Sequence, residues 1–340
     1  MSKIRKLYFF DKKATQEMIS FLNNGLHDNY INRIMFNPFL IFHHFIPLKY
    51  KFLPESFVLK KDNAIKGLIT VAPTKNPLKK MEIQKLLFEE NSLYDAAELV
   101  QYVVSRYKAY GTFSIIAKVD DYLPELLTMF VSKCNFSQIS YEKLWRINKF
   151  TDKNFNKNNF RNFNNSDAKA VANLYNDSLI PHYRYLLSSD VKDFNEKFFK
   201  GLSYFNEYKY VIEDLNSKNI IGYFEIQTSD DENYIIDFTQ SNWVSFDVEE
   251  MISFVINQIK KRKKKFGLFI KTKKYTNLGE EYEKIFSKNN YDCVQNQIVL
   301  TNSSAKVLHE PSDSCKYTVL SNLIPTNPAP IQYVSIDDSL

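Results

Sequence analysis

Arg5 and Arg161, Gly67 and Gly222, and Gly111 and Gly267 stand 156, 155 and 156 residues apart in a chain of 340 residues, and the segments around each pair read alike. An internal period of about 155 residues constrains the fold more than any local pattern, because one supersecondary solution must then be built twice. The repeat extends to side-chain faces. Leu93, Ala96, Ala97, Val100 and Val104 return as Val248, Met251, Ile252, Val255 and Ile259, each shifted by 155. The spacing i, i+3, i+4, i+7, i+11 lines one side of an α-helix and is foreign to a strand. Both helices open alike, with Ser92-x-x-Asp95 and Asp247-x-x-Glu250. These read as N-caps, each followed by an acid that favours the positive helix end. A third match sets Ser132-Lys133-Cys134-Asn135-Phe136 against Ser287-Lys288-Asn289-Asn290-Tyr291.

Within each period the patterns predict one element order. Copy one has a strand at 4–10, a helix at 14–23, a long connection rich in Phe, His and Pro, and strands at 56–60, 67–72 and 81–87. A helix at 93–110, a strand at 112–117, a helix at 124–133 and a strand pair at 138–147 complete it. Copy two repeats this with a strand at 159–163, a helix at 167–176, a long connection, and strands at 208–213, 222–227 and 234–238. It ends in a helix at 248–264, a strand at 268–271, a helix at 280–288 and a strand pair at 291–300. This order is mixed α/β, with a mixed sheet and helices on both faces. An Asn-rich stretch at 151–165 reads as a linker, so the expected division is 1–150, 151–304 and a flexible, Pro-containing tail at 305–340.

Composition narrows the function. An apolar fraction of 44%, with 28 Phe and 22 Tyr, requires buried cores and excludes a disordered chain. Only 7 Gly argues against most glycine-loop nucleotide sites. Cys134, Cys293 and Cys315 have neither disulfide-framework nor zinc spacing, which fits a reducing, cytoplasmic location and no metal. The amino terminus lacks an export signal, and no apolar run approaches the roughly 20 residues of a membrane span. Net charge is +6, concentrated in Lys260, Lys261, Arg262, Lys263, Lys264 and Lys265, with Lys271, Lys273 and Lys274 following. A nucleic-acid partner is one reading of that run. The favoured one is a solvated helix end whose cations meet the negative dipole. His43 and His44 lack a partner at metal spacing. The aromatic-rich connections at 36–52 and 183–205 read chiefly as core or seam. No Gly-x-Ser-x-Gly elbow marks a hydrolase.

The duplicated order resembles a tandem pair of GNAT N-acyltransferase domains, over residues 3 to about 302. The Tyr-x-Lys-x-Gly-Phe segment of that family corresponds to Val131–Phe136 and Phe286–Tyr291, with Val131 and Phe286 where the family has its proton-donating tyrosine. Its Gln/Arg-x-x-Gly-x-Gly/Ala pyrophosphate loop falls on Phe88, Asn91 and Leu93 and on Trp243, Phe246 and Val248. No glycine is present in either, and Glu89, Glu90, Asp95, Asp247, Glu249 and Glu250 lie alongside. The resemblance implies an N-acyltransferase, an acetyltransferase first of all, moving an acyl group from acetyl-CoA or another acyl-CoA to a small-molecule or peptide amine. It implies a pseudo-dimer within one chain and a strand carboxylate as base, for which Glu82 and Asp237 are the candidates. Two other readings are kept: a non-catalytic, degenerate binding or scaffold protein, and a Fem-type peptidyltransferase using aminoacyl-tRNA, which lacks its helical hairpin insertion here.

Overall fold

The computed structural model describes residues 3–7, 55–62, 64–73, 80–89, 92–148, 155–195, 206–228, 231–244 and 246–303. The helix expected at 14–23, His43 and His44 with the connection around them, and the tail from 305 lie outside the described residues. Copy one contains β1 (Lys3–Lys6), β2 (Glu55–Lys61), β3 (Ala64–Pro73), β4 (Lys80–Phe88), α1 (Leu93–Ala109) and β5 (Ser114–Asp120). α2 (Pro124–Thr128), continued by a π turn (Met129–Lys133), and β6 (Ser137–Arg146) complete it. Copy two contains β7 (Phe160–Asn162), α3 (Ala168–Ser178), α4 (Pro181–Leu187), α5 (Val191–Phe194), β8 (Asn206–Glu213) and β9 (Ile220–Thr228). It continues with β10 (Asn233–Gln240), α6 (Val248–Lys260), β11 (Gly267–Lys273), α7 (Gly279–Lys288) and β12 (Asp292–Ser303).

The twelve strands of the described residues form one sheet, in the order β1-β2-β3-β4-β5-β12-β6-β11-β10-β9-β8-β7. The copies exchange their last strands at its centre. β12 of copy two lies antiparallel to β5 of copy one, and β6 of copy one lies antiparallel to β11 of copy two. The expected strand pair at the end of each copy is therefore a single long strand. Residues 137–147 and 291–303 contain no Gly or Pro to turn the chain, so the ladder runs through.

Alternation along the strands sets the two faces. On one, α1 buries Ala96, Ala97, Val100 and Val103 against Phe57, Ile69, Met81 and Ile115, while α6 buries Met251, Ile252, Val255 and Ile259 against Phe224, Ile236 and Ile270. On the other, α3 covers Val211 and Tyr223, and α4 covers Ile116 and Val299.

Several local expectations change. Ser92 occupies the N-cap position of α1 without a side-chain hydrogen bond, and Asp95 instead pairs with Lys61 of β2. Asp247 does cap α6, accepting from the Glu249 N–H at 2.9 Å. α6 stops at Lys260 and not at 264, as successive like charges would repel along another turn. Arg262 leaves to stack over Tyr208, 3.9 Å from the ring centroid. Asn135 and Asn290, one period apart, both have φ +56°. Asparagine tolerates this left-handed conformation, so the chain reverses after α2 and α7 without the glycine of the family motif.

The exchange makes the halves interdependent. Residues 1–150 and 151–304 produced separately should each aggregate or remain unfolded, and co-expression should return one monodisperse complex on size-exclusion chromatography. Two independently folded halves that do not associate would contradict this topology.

Candidate active site

Parallel strands β10 and β11 pair from Asn233↔Gly267 to Ile236↔Ile270, and their registered pairing stops there. Beyond that rung an open cleft is lined by Phe238, Thr239 and Gln240 on one strand and Lys271, Thr272 and Lys273 on the other. Tyr282 of α7 enters it, donating a hydrogen bond to Gln240 and packing edge-on to Phe238 at 4.8 Å between centroids. Gly279 sets this placement. A Cβ there would lie 2.1 Å from the Lys273 carbonyl oxygen, so only glycine lets α7 start so close to the end of β11. Burial, with Glu281 adding, pushes the Tyr282 phenol well above its ordinary range, so it keeps its proton.

The cleft adjoins a charged network on the α3 and α4 face of the central strands. Lys118 of β5 lies 3.0 Å from Glu142 of β6 and 3.4 Å from Glu82 of β4. The Tyr275 hydroxyl donates to Glu142 at 2.7 Å. Lys273 pairs with Asp237 of β10 and lies 5.9 Å from the Tyr175 ring centroid. Burial alone would lower Lys118 and raise Glu142. Glu142 and Glu82 reverse the first, and Lys118, Lys271 and Lys273 reverse the second, so both groups stay charged. For Lys273, burial is likewise overcome by Asp237, and the pKa is raised. Lys271 differs: burial prevails and its ammonium is depressed below the ordinary lysine value.

Glu82 and Asp237 thus enter one network, each held by its own lysine. They are not equivalent positions. Glu82 pairs with Ile116 one rung before the last parallel contact of β4 and β5, Ile83↔Ala117, whereas Asp237 lies one residue beyond Ile236↔Ile270. The β-bulge in β4 near Gln84 shifts the register. Neither Val131, which is exposed, nor Phe286, which is fully buried beside Trp145, serves the cleft. Tyr282, one turn before Phe286, is the hydroxyl that reaches it. Lys271 and Lys273, grouped from sequence with a solvated basic run, lie instead on a strand whose alternation turns both toward the network. That alternation, in Ile270-Lys271-Thr272-Lys273, was the available signal.

The helix starts show whether the phosphates of acyl-CoA would fit. At α6 the Asp247 carboxylate occupies the Glu249 amide, Glu249 accepts from Tyr291 and Asn289, and Glu250 adds a third acid to the first turn. This start does not fit a pyrophosphate. At α1, among the described residues, Glu89 is neutralised by Lys66 at 2.7 Å and Asp95 by Lys61, and Ser92 makes no side-chain cap. Among the described residues no group of His, Cys, Asp and Glu is arranged to hold a metal ion, and no helix is long and apolar enough to cross a membrane.

Comparison with solved structures decides the fold. A tandem GNAT protein from the clavulanic acid biosynthesis pathway, determined without acetyl-CoA, superposes with a TM-score of 0.63 over 92% of this chain and 100% of its own, at 8% identity. This chain has the tandem GNAT fold. A GCN5-related N-acetyltransferase from Sphaerobacter thermophilus gives a TM-score of 0.59, covering 89% of this chain and 95% of its own at 8% identity. No protein-family model matches the sequence. No curated protein matches it either.

Replacing Glu142 by Gln removes the nearer carboxylate from Lys118 and should cost about 3–5 kcal/mol of stability at neutral pH. Adding Lys118→Met should recover most of that loss, as chemical denaturation would show. The folded pKa of Glu142 lies below its ordinary value of 4.5. Its contribution is therefore present above that pH and lost as pH falls through the folded value. Glu142→Gln should flatten this part of the acid limb of the stability curve.

Proposed function

We propose that this protein is an N-acyltransferase that moves an acyl group from an acyl-CoA to an amine, using the β10–β11 cleft. The observation that carries this reading is the opening of two parallel strands around Tyr282, on a fold shared with acetyltransferases. The registered pairing of β10 with β11 ends at Ile236↔Ile270, and the gap beyond it suits an extended donor arm bearing amide groups. The protonated Tyr282 phenol is placed to give its proton to a leaving thiolate. Asp237, paired with Lys273 where the sheet opens, is the candidate to receive the proton of the attacking amine, directly or through water. Glu82, bound to Lys118 on copy one, is the second candidate base. Since α6 offers no seat for the pyrophosphate, the donor is held chiefly by its acyl and pantetheine portion.

The capping of α6 by Asp247 favours a second reading, a non-catalytic binding protein that keeps only the fold. Calorimetric titration with acetyl-CoA, free CoA, a longer acyl-CoA and acetyl-pantetheine separates the two. The enzyme reading expects one site per chain and acetyl-pantetheine within about tenfold of acetyl-CoA, a difference of roughly 1.4 kcal/mol. Asp237→Asn and Tyr282→Phe should each lower turnover about a hundredfold with donor affinity retained, followed by thiol release with a panel of amines. Absence of heat and of thermal shift at millimolar ligand would leave the scaffold reading.

A further inference from the structure

Lys271 stands apart among the cations of the network. Lys118 is held by Glu82 and Glu142, and Lys273 by Asp237, whereas Lys271 forms no ion pair among the described residues. It is the first residue of β11 beyond the last parallel rung, and it lines the cleft with Thr272 and Tyr282. Burial depresses its ammonium. Lys118 and Lys273 reinforce this, and Asp237 and Glu142 oppose it without prevailing. A larger fraction of Lys271 is therefore the neutral amine than for an ordinary surface lysine, and the neutral amine is the nucleophile. Paired strands close the gap at the Ile236–Ile270 rung, and Lys271 is the first β11 residue on its open side, where the acyl end of a thioester inserted between the strands would come to rest.

We propose that Lys271 is a site of self-acylation, its side-chain amine attacking the carbonyl carbon of a thioester bound between β10 and β11. A C–N bond forms as the C–S bond breaks. The attacking nitrogen gives up one proton, the departing thiolate gains one from Tyr282 or solvent, and the products are an Nε-acyl-lysine and a free thiol. No oxidant or reductant is needed. An amide, unlike a thioester, does not hand its acyl group to a further amine, so the product is a lasting modification and not a turnover intermediate. Acylation removes a positive charge from beside Asp237 and Glu142 and fills the closed end of the cleft, which shuts it to further donor. This proposal rests on the acyltransferase reading.

The test incubates the full-length protein with acetyl-CoA, and separately with acetyl-pantetheine, then measures intact mass and maps acetylated peptides after hydroxylamine treatment. The expected result is one stable acetyl group per chain at Lys271, formed about tenfold faster than at the neighbouring Lys274, which is half exposed and paired with Glu280. Lys271→Arg should abolish it, and Lys274→Arg should leave it unchanged. Should Lys271→Arg fail to fold, the peptide map of the unmodified sequence still decides. Acetylation spread over surface lysines without excess at Lys271 would overturn the proposal. So would an unlabelled Lys271 in a preparation that acetylates an added amine, and there the acyltransferase reading would stand. Absence of labelling, transfer and donor binding together would remove both.

Discussion

The exchange of β6 and β12 is the interaction on which the rest of the molecule depends. Each of these strands completes the sheet of the opposite copy, so β5 and β11 gain their inner neighbours only when both copies are folded. The pairing Glu142↔Gln297 lies at the centre of this exchange, and these residues are one period apart. The register continues outward to Lys273 on one side and Asp120 on the other. A single row thus reads Lys273, Glu142, Gln297, Asp120 across four strands from two copies. Symmetry of backbone is combined with asymmetry of charge.

That asymmetry makes a buried ionic network tolerable. Glu142 is almost fully enclosed, and an isolated carboxylate there would be costly. It is met by Lys118 from copy one, and by Tyr275 from the copy-two loop that follows β11. That loop spans five residues, 274–278, between β11 and α7, against three, 121–123, between β5 and α2. The extra length carries Tyr275 over the seam. At the pseudo-symmetric position Gln297 of β12 stands in place of Glu142, and Gln295 of the same strand donates to Asp120 of β5, whose pKa is raised by burial. The two copies have therefore solved the same central position with different chemistry.

Much of the fold was legible because it rests on periodicity. The helical face from Leu93 to Val104 and its copy from Val248 to Ile259, the three-strand meanders, and the aspartate cap of α6 follow from local pattern. The exchange was not legible, since a strand that pairs with its own copy and one that pairs with the other have the same alternation. What the sequence did mark was that each copy ends in one unbroken strand, since 137–147 and 291–303 contain no Gly or Pro. The geometry of the candidate site was legible only in part. Asp237 stands where the sheet opens, whereas the assignment of Glu82 as its twin followed sequence offset and missed the β4 bulge. Tyr282 was hidden by aligning the helix on its end, through Phe286, when the cleft is served by its start, through Gly279.

The glycine-poor composition is accommodated by two local substitutions with opposite consequences. At the turns after α2 and α7, Asn135 and Asn290 adopt the left-handed backbone that glycine would supply, and the architecture is kept at modest cost. At the start of α6, Asp247 supplies its own carboxylate to an amide that an anionic ligand would otherwise meet. The first change preserves a conformation; the second consumes a binding capacity. A chain can lose glycine from a turn and keep its fold, but a helix start that caps itself with an acid has exchanged affinity for phosphate for stability of the helix. On the proposed function, a donor in this cleft would therefore meet the groups between the strands, Gln240, Lys271 and Tyr282, more than the end of the helix beside them.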